Sequence, residues 1–173
     1  MQTEMKTTRI ADAIVAEMDQ EAEATRRLLN VIPEDKLDWR PHAKARSLGE
    51  LSMHVACVPG NVAEISRFDT KEAGTFPEEP KATSRTQIVE AFEENLAKGK
   101  DIVAATDDDR AMAEWTLTKD GQTLVSMPRA QFWRSILLNH YYHHRGQLSA
   151  YLRELDVVLP SIYGPSADTN PFG

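Results

Sequence analysis

The chain has 173 residues, with 20 Lys+Arg against 27 Asp+Glu, five His, one Cys and a formal net charge of −7, a length that predicts a single domain over 1–173 able to bury its own core. An acidic chain lacks the basic field that carries nonspecific nucleic-acid binding and is repelled by anionic lipid, so neither nucleic acid nor membrane is an expected partner. No apolar run nears the ~18 residues of a membrane span, one Cys forms no intrachain disulfide, and the polar start Met1-Gln2-Thr3-Glu4-Met5-Lys6 lacks an apolar leader core, which together predict a cytoplasmic protein.

Ile10, Ala13, Ile14, Met18, Ala22, Thr25, Leu28, Leu29 and Ile32 recur at steps of three and four. That stripe predicts a first amphipathic helix over about 7–31, stopped by Pro33. Ser47-Leu48-Gly49-Glu50 is a capping box. Behind it Leu48, Leu51, Val55, Val58, Val62 and Ile65 predict a second helix over about 47–67, kinked at Pro59, which cannot donate to the carbonyl of Val55. Residues 71–81 read as an exposed loop.

Ser84-Arg85-Thr86-Gln87 offers another capping box, and Ile88, Phe92, Leu96 and Val103 mark a third helix ending before Thr106. Two β-prone runs over 115–126 flank Asp120-Gly121, the pair a type I′ turn favours, and predict a small hairpin. Pro128 suits the first turn of a fourth helix, whose stripe runs Trp133, Leu137, His140, His144, Leu148, Tyr151, Leu155. After Pro160 the tail reads as irregular. The expected fold is all-α: an antiparallel four-helix bundle with a β-hairpin between helices three and four.

His140 and His144 are one turn apart, so their imidazoles share a face. His54 lies beside the apolar stripe of helix two, and packing helices two and four at ~8–10 Å sets it opposite the pair. Three neutral imidazoles suit Zn²⁺, Ni²⁺, Cu²⁺ or Fe²⁺ and leave coordination positions for water or substrate. Histidines at such spacing also occur as ordinary hydrogen-bonded core residues, and the spacing alone leaves both readings open.

Other polar groups are weaker candidates. His143 falls about 100° around the helix from His144 and reads as a flank residue. His42 sits in the turn before helix two and reads as solvent-facing. Cys57 reads as a small buried hydrophobe rather than a reactive thiol. Glu50 is accounted for by its cap rather than by orienting His54, and Tyr141, Tyr142 and Tyr151 read as packing aromatics, one of which has a hydroxyl within reach of a pocket. From Gly121 to Arg153 there is no acid, while Arg129, Arg134, Arg145 and Arg153 contribute four positive charges. Of these, Arg145, next to His144, is the candidate to bind an anionic cofactor or substrate group.

Taken as a set, Ser47-Leu48-Gly49-Glu50-Leu51-Ser52-Met53-His54-Val55-Ala56, Asn139-His140-Tyr141-Tyr142-His143-His144-Arg145-Gly146-Gln147-Leu148 and Leu159-Pro160-Ser161-Ile162-Tyr163-Gly164-Pro165-Ser166-Ala167-Asp168 resemble the DinB-like (DinB/YfiT) family, which is distinct from the translesion polymerase of similar name. The resemblance spans nearly the whole chain. It implies a four-helix bundle, often a homodimer, with a metal such as zinc, nickel or iron held at positions matching His54, His140 and His144. Some relatives are thiol-dependent S-transferases or isomerases that use bacillithiol, mycothiol or glutathione. Pro59 departs from the usual pattern and bears on the helix just past His54.

The sequence therefore points to a metal-dependent enzyme, a thiol S-transferase or hydrolase of a small molecule; its catalytic residues beyond the metal ligands are not identified. The alternatives are a noncatalytic metal-binding, stress-response bundle, and a metal-free interaction domain in which the histidines hydrogen-bond one another.

Overall fold

A computed structural model describes residues 8–172. The first helix, α1, spans Ile10–Leu29, so the predicted start near residue 7 lies outside the described residues. A 3₁₀ turn at Glu34–Lys36 follows Pro33. Helix α2 spans Leu48–Ser66, close to the predicted bounds. Its capping box is formed: Ser47 Oγ accepts from Glu50 N at 3.2 Å and Glu50 Oε2 accepts from Ser47 N at 2.6 Å.

Helix α2 is buried on nearly all sides because it packs against α3, Arg85–Ala104, on one face and against the C-terminal helix on another. Its sequence is apolar around most of its circumference, as a helix without a solvent face requires. Pro59 continues the helix. At that level α2 and α3 approach closely, since a Cβ on Gly99 of α3 would stand 2.5 Å from the Pro59 carbonyl oxygen and one on Gly60 would meet Asn95. The second expected capping box is only half made. Ser84 Oγ accepts from Gln87 N, but Gln87 Oε1 turns to the N–H and hydroxyl of Thr83 at 2.7 and 2.9 Å.

Two short elements went unpredicted. Strand β1, Thr70–Glu72, lies at the edge of the stretch read as loop, and helix α4, Asp108–Met112, is capped by Asp107. Strands β2, Glu114–Lys119, and β3, Gln122–Pro128, form the expected hairpin, with Asp120 and Gly121 both at positive φ as a type I′ turn requires. β1 pairs in parallel with β2, so the hairpin becomes a three-stranded sheet in the order β1-β2-β3. Glu72 locks that sheet: its carboxylate accepts from the Thr118 hydroxyl and from Asp120 N.

The last helix is continuous but not uniform. Helix α5, Arg129–Phe132, runs into a π-helical stretch, Trp133–Leu138, and then α6, Asn139–Glu154. The wider π turn lets Trp133, Leu137 and Leu138 all enter the core, and ends immediately before His140. The protein is thus mostly helical with a small sheet, and its helices do not reduce to the simple four of the sequence reading. Among the described residues no helix is long and apolar enough to cross a membrane. The described residues after Pro160 form neither helix nor strand, but they are tied down: Asp168 accepts from Arg153 and from Leu159 N, and the Tyr163 hydroxyl reaches Glu21 at 2.9 Å.

Candidate metal centre

Contact between α2 and α6 brings His54 against His140 and His144. Their ring centroids lie 4.4–5.1 Å apart, and one ligand nitrogen from each sits within 4.8 Å of the others. Nε2 of His54 is 3.0 Å from Nε2 of His140. That is a hydrogen-bond distance, slightly inside the about 3.3 Å that separates two nitrogens bound tetrahedrally to one zinc at 2.0–2.1 Å.

The outer nitrogens are held as a metal site needs. His54 Nδ1 lies 2.6 Å from Glu79 Oε1, and with that carboxylate as acceptor the proton is on Nδ1, leaving the Nε2 lone pair facing His140. His144 Nδ1 lies 3.0 Å from Gln147 Oε1, an acceptor for a proton on that nitrogen. Burial lowers His144 to about 4, partly offset by the Gln147 contact. Burial, followed by the neighbouring His54 and His143, also lowers His140. Neutral imidazoles are the form that ligates. For Glu79, burial acts to raise the carboxyl, but the His54 hydrogen bond together with the Arg46 charge and contact outweighs it and holds it below the usual range.

Of the weaker candidates, His143, His42 and Cys57 lie where their positions predicted, whereas Arg145 and the tyrosine hydroxyls do not face an open site. His143 is exposed on the flank, and exposed His42 accepts from Lys44 N in its turn. Cys57 is buried, with its thiol pushed up to about 11 chiefly by that burial, so it supplies no thiolate at neutral pH. The tyrosine hydroxyls are committed elsewhere or enclosed: Tyr141 to Thr25, Tyr142 to Glu17, and Tyr151 buried beside the Trp39 ring. Arg145 is 1% exposed, and the anion it holds is internal: its guanidinium donates to Glu21 Oε2 at 2.5 Å, to the Glu21 carbonyl, to Thr25 and to Tyr163.

The cation near the histidines is Arg46, 3.3 Å from Glu79. Sequence reasoning missed Arg46 and Glu79. Glu79 comes from the connection between β1 and α3, 25 residues from His54, and no helical periodicity links them. Gln147 was legible in principle, one turn past His144 on the same helix.

The DinB family profile matches residues 1–170. The chain belongs to the DinB family. YrdA of Bacillus subtilis, itself named as uncharacterized, is 24% identical over 157 residues, or 91% of this chain and 90% of that protein. A DinB-like protein from Bacillus cereus superposes with a TM-score of 0.69 at 19% identity, covering 88% of this chain and 97% of its own. The DinB-like YjoA of B. subtilis superposes with a TM-score of 0.64 at 19% identity, covering 87% and 96%. These structures share the DinB fold. The three-histidine cluster is a property of this chain's own packing.

Proposed function

We propose that this DinB-family protein is a metal-dependent enzyme in which His54, His140 and His144, carried by α2 and α6, hold a divalent ion such as zinc, nickel or iron. The reaction class is transfer of a thiol or of water to a small molecule, as an S-transferase or hydrolase. The convergence of three imidazole nitrogens from α2 and α6 carries this reading. An ion with three protein ligands keeps open positions and lowers the pKa of a water or thiol bound there.

The protein's own residues do the rest. Glu79 and Gln147 fix the Nδ1 protons of His54 and His144, so the ligating faces are formed before any ion arrives. Arg46 steadies Glu79. Since Cys57 stays protonated, a transferred sulfur must come from a small-molecule thiol.

Turnover of electrophilic substrates, with and without added low-molecular-weight thiols, tests the proposal on metal-loaded, metal-stripped and reloaded protein. Activity that disappears on stripping, returns on reloading and is absent in His140→Ala is the expected result. If stripping lowers only the melting temperature, with no turnover in any state, the ion is structural and the enzyme reading fails.

A further inference from the structure

A cavity of about 650 Å³ opens beside the histidines, lined by His54 and His140 at one end. Its volume lies within the range of small-molecule sites. The chain builds its walls by continuing the ligand faces of two helices. On α2, Val58 and Val62 follow His54 one and two turns on, and Ile65 follows below them. On the other wall, Ile136 precedes His140 by one turn and sits in the π-helical stretch. Phe76, from the connection that also carries Glu79, closes the third side.

Two of these side chains are large apolar groups left open to solvent, Phe76 at 50% and Ile136 at 39% exposure. A connection that needed only to present Glu79 has no use for an exposed phenylalanine over an apolar trough. Besides the histidines and the Arg46–Glu79 pair, the polar groups that line the cavity are Asn61, next to Val62 on α2, and the exposed carboxylate of Glu78, two residues past Phe76; the nearby cation, Arg46, is already paired with Glu79. The walls therefore offer no unpaired positive charge to a polyanionic ligand, and they offer considerable apolar surface to an uncharged chain or ring.

The geometry points to a substrate whose reacting polar group sits at the three histidines and whose unbranched alkyl or aryl group lies along Val58, Val62, Ile65, Phe76 and Ile136. This rests on the proposed metal site for the placement of the polar end, while the apolar subsite stands on the cavity itself. Each methylene taken from water into such a trough strengthens binding about three- to fourfold.

Two titration series test the subsite. On metal-free protein, 1-butanol, 1-hexanol and 1-octanol are titrated by NMR, following the methyl signals of Val62 and Ile136. On zinc-loaded protein of measured metal content, acetohydroxamate, butyrohydroxamate and octanohydroxamate are titrated by calorimetry. Affinity rising with chain length in both series is the expected result, with the rise flattened in Ile136→Ser and in Phe76→Ser at wild-type melting temperature.

Failure of the metal reading shows separately, as absent zinc or absent acetohydroxamate binding while the alcohol series still rises. An alcohol series with no dependence on length overturns the subsite. So does a flat series accompanied by conversion of a dimer to a monomer in Ile136→Asp, which would assign this face to a second copy of the chain.

Discussion

The Glu79 carboxylate accepts a 2.6 Å hydrogen bond from Nδ1 of His54, joining the connection before α3 to the middle of α2. Both partners are largely withdrawn from water, with side-chain exposures of 22% and 12%. A carboxylate in that position fixes the tautomer and rotation of the ring and raises its basicity toward an ion. Glu79→Gln retains shape and loses charge. It is expected to weaken zinc or nickel affinity by about 10–100-fold while leaving the melting temperature of the metal-free protein nearly unchanged. Calorimetric titration checks this, and an affinity within twofold of wild type would remove Glu79 from the site.

Arg145 and Glu21 form an ion pair that the protein encloses, with 1% and 9% side-chain exposure. Removing one partner leaves the other charge buried, a loss of about 3–5 kcal/mol, whereas replacing both with uncharged groups recovers much of it. Glu21→Gln alone is therefore expected to be much less stable than Glu21→Gln with Arg145→Met, as measured by urea unfolding. A single variant as stable as wild type would mean the pair has another partner or a route to water.

Two glycines give opposite expectations for the same substitution. At Gly99 an added methyl would press on the Pro59 carbonyl at 2.5 Å, a backbone atom that cannot step aside. Gly99→Ala should cost about 1–3 kcal/mol by overpacking despite its better helix propensity. Gly146 on α6 has nothing within 4 Å of such a methyl, and Gly146→Ala should stabilise by about 0.5–1 kcal/mol. Thermal unfolding of the two variants separates them.

Asp69 accepts from Arg129 at 2.8 Å and also pairs with Arg110; chiefly the Arg129 hydrogen bond, aided by the Arg110 contact, holds its carboxyl below the usual value. A carboxyl with a depressed folded-state pKa adds stability above its unfolded pKa of about 3.9 and loses it as pH falls through the folded value. Asp69→Asn should consequently narrow the stability gap between neutral and acid pH. Urea unfolding at pH 6 and near pH 3 tests this. An unchanged gap would mean that Asp69 takes no part in the acid transition.

What was legible in the sequence followed from local rules. The three-four stripes gave α1, α2 and α3, Ser47 gave its cap, and Asp120-Gly121 gave the turn, because each depends on residues within a few positions of one another. The histidine cluster was legible for the same reason on α6, and across helices because His54 lies on a helix with few solvent-facing positions. Features fixed by distant partners were not. Strand β1 has three residues and no apolar alternation, and it exists because β2 offers an edge. The π-helical stretch depends on the fit of Trp133, Leu137 and Leu138 into one core. Glu79 acquires its role only when its connection folds back over α2, and Arg145 was read from its neighbour His144 when its partner, Glu21, lies on α1.

The central claim is that His54, His140 and His144 bind one divalent ion together. Its most direct measurement is metal content by plasma emission spectrometry, after equilibration with zinc and removal of excess, on wild type and on His54→Ala, His140→Ala and His144→Ala. About one ion per chain in wild type and a large loss in each variant is the expected result. Negligible metal in wild type, or the same content in all four proteins, would contradict it.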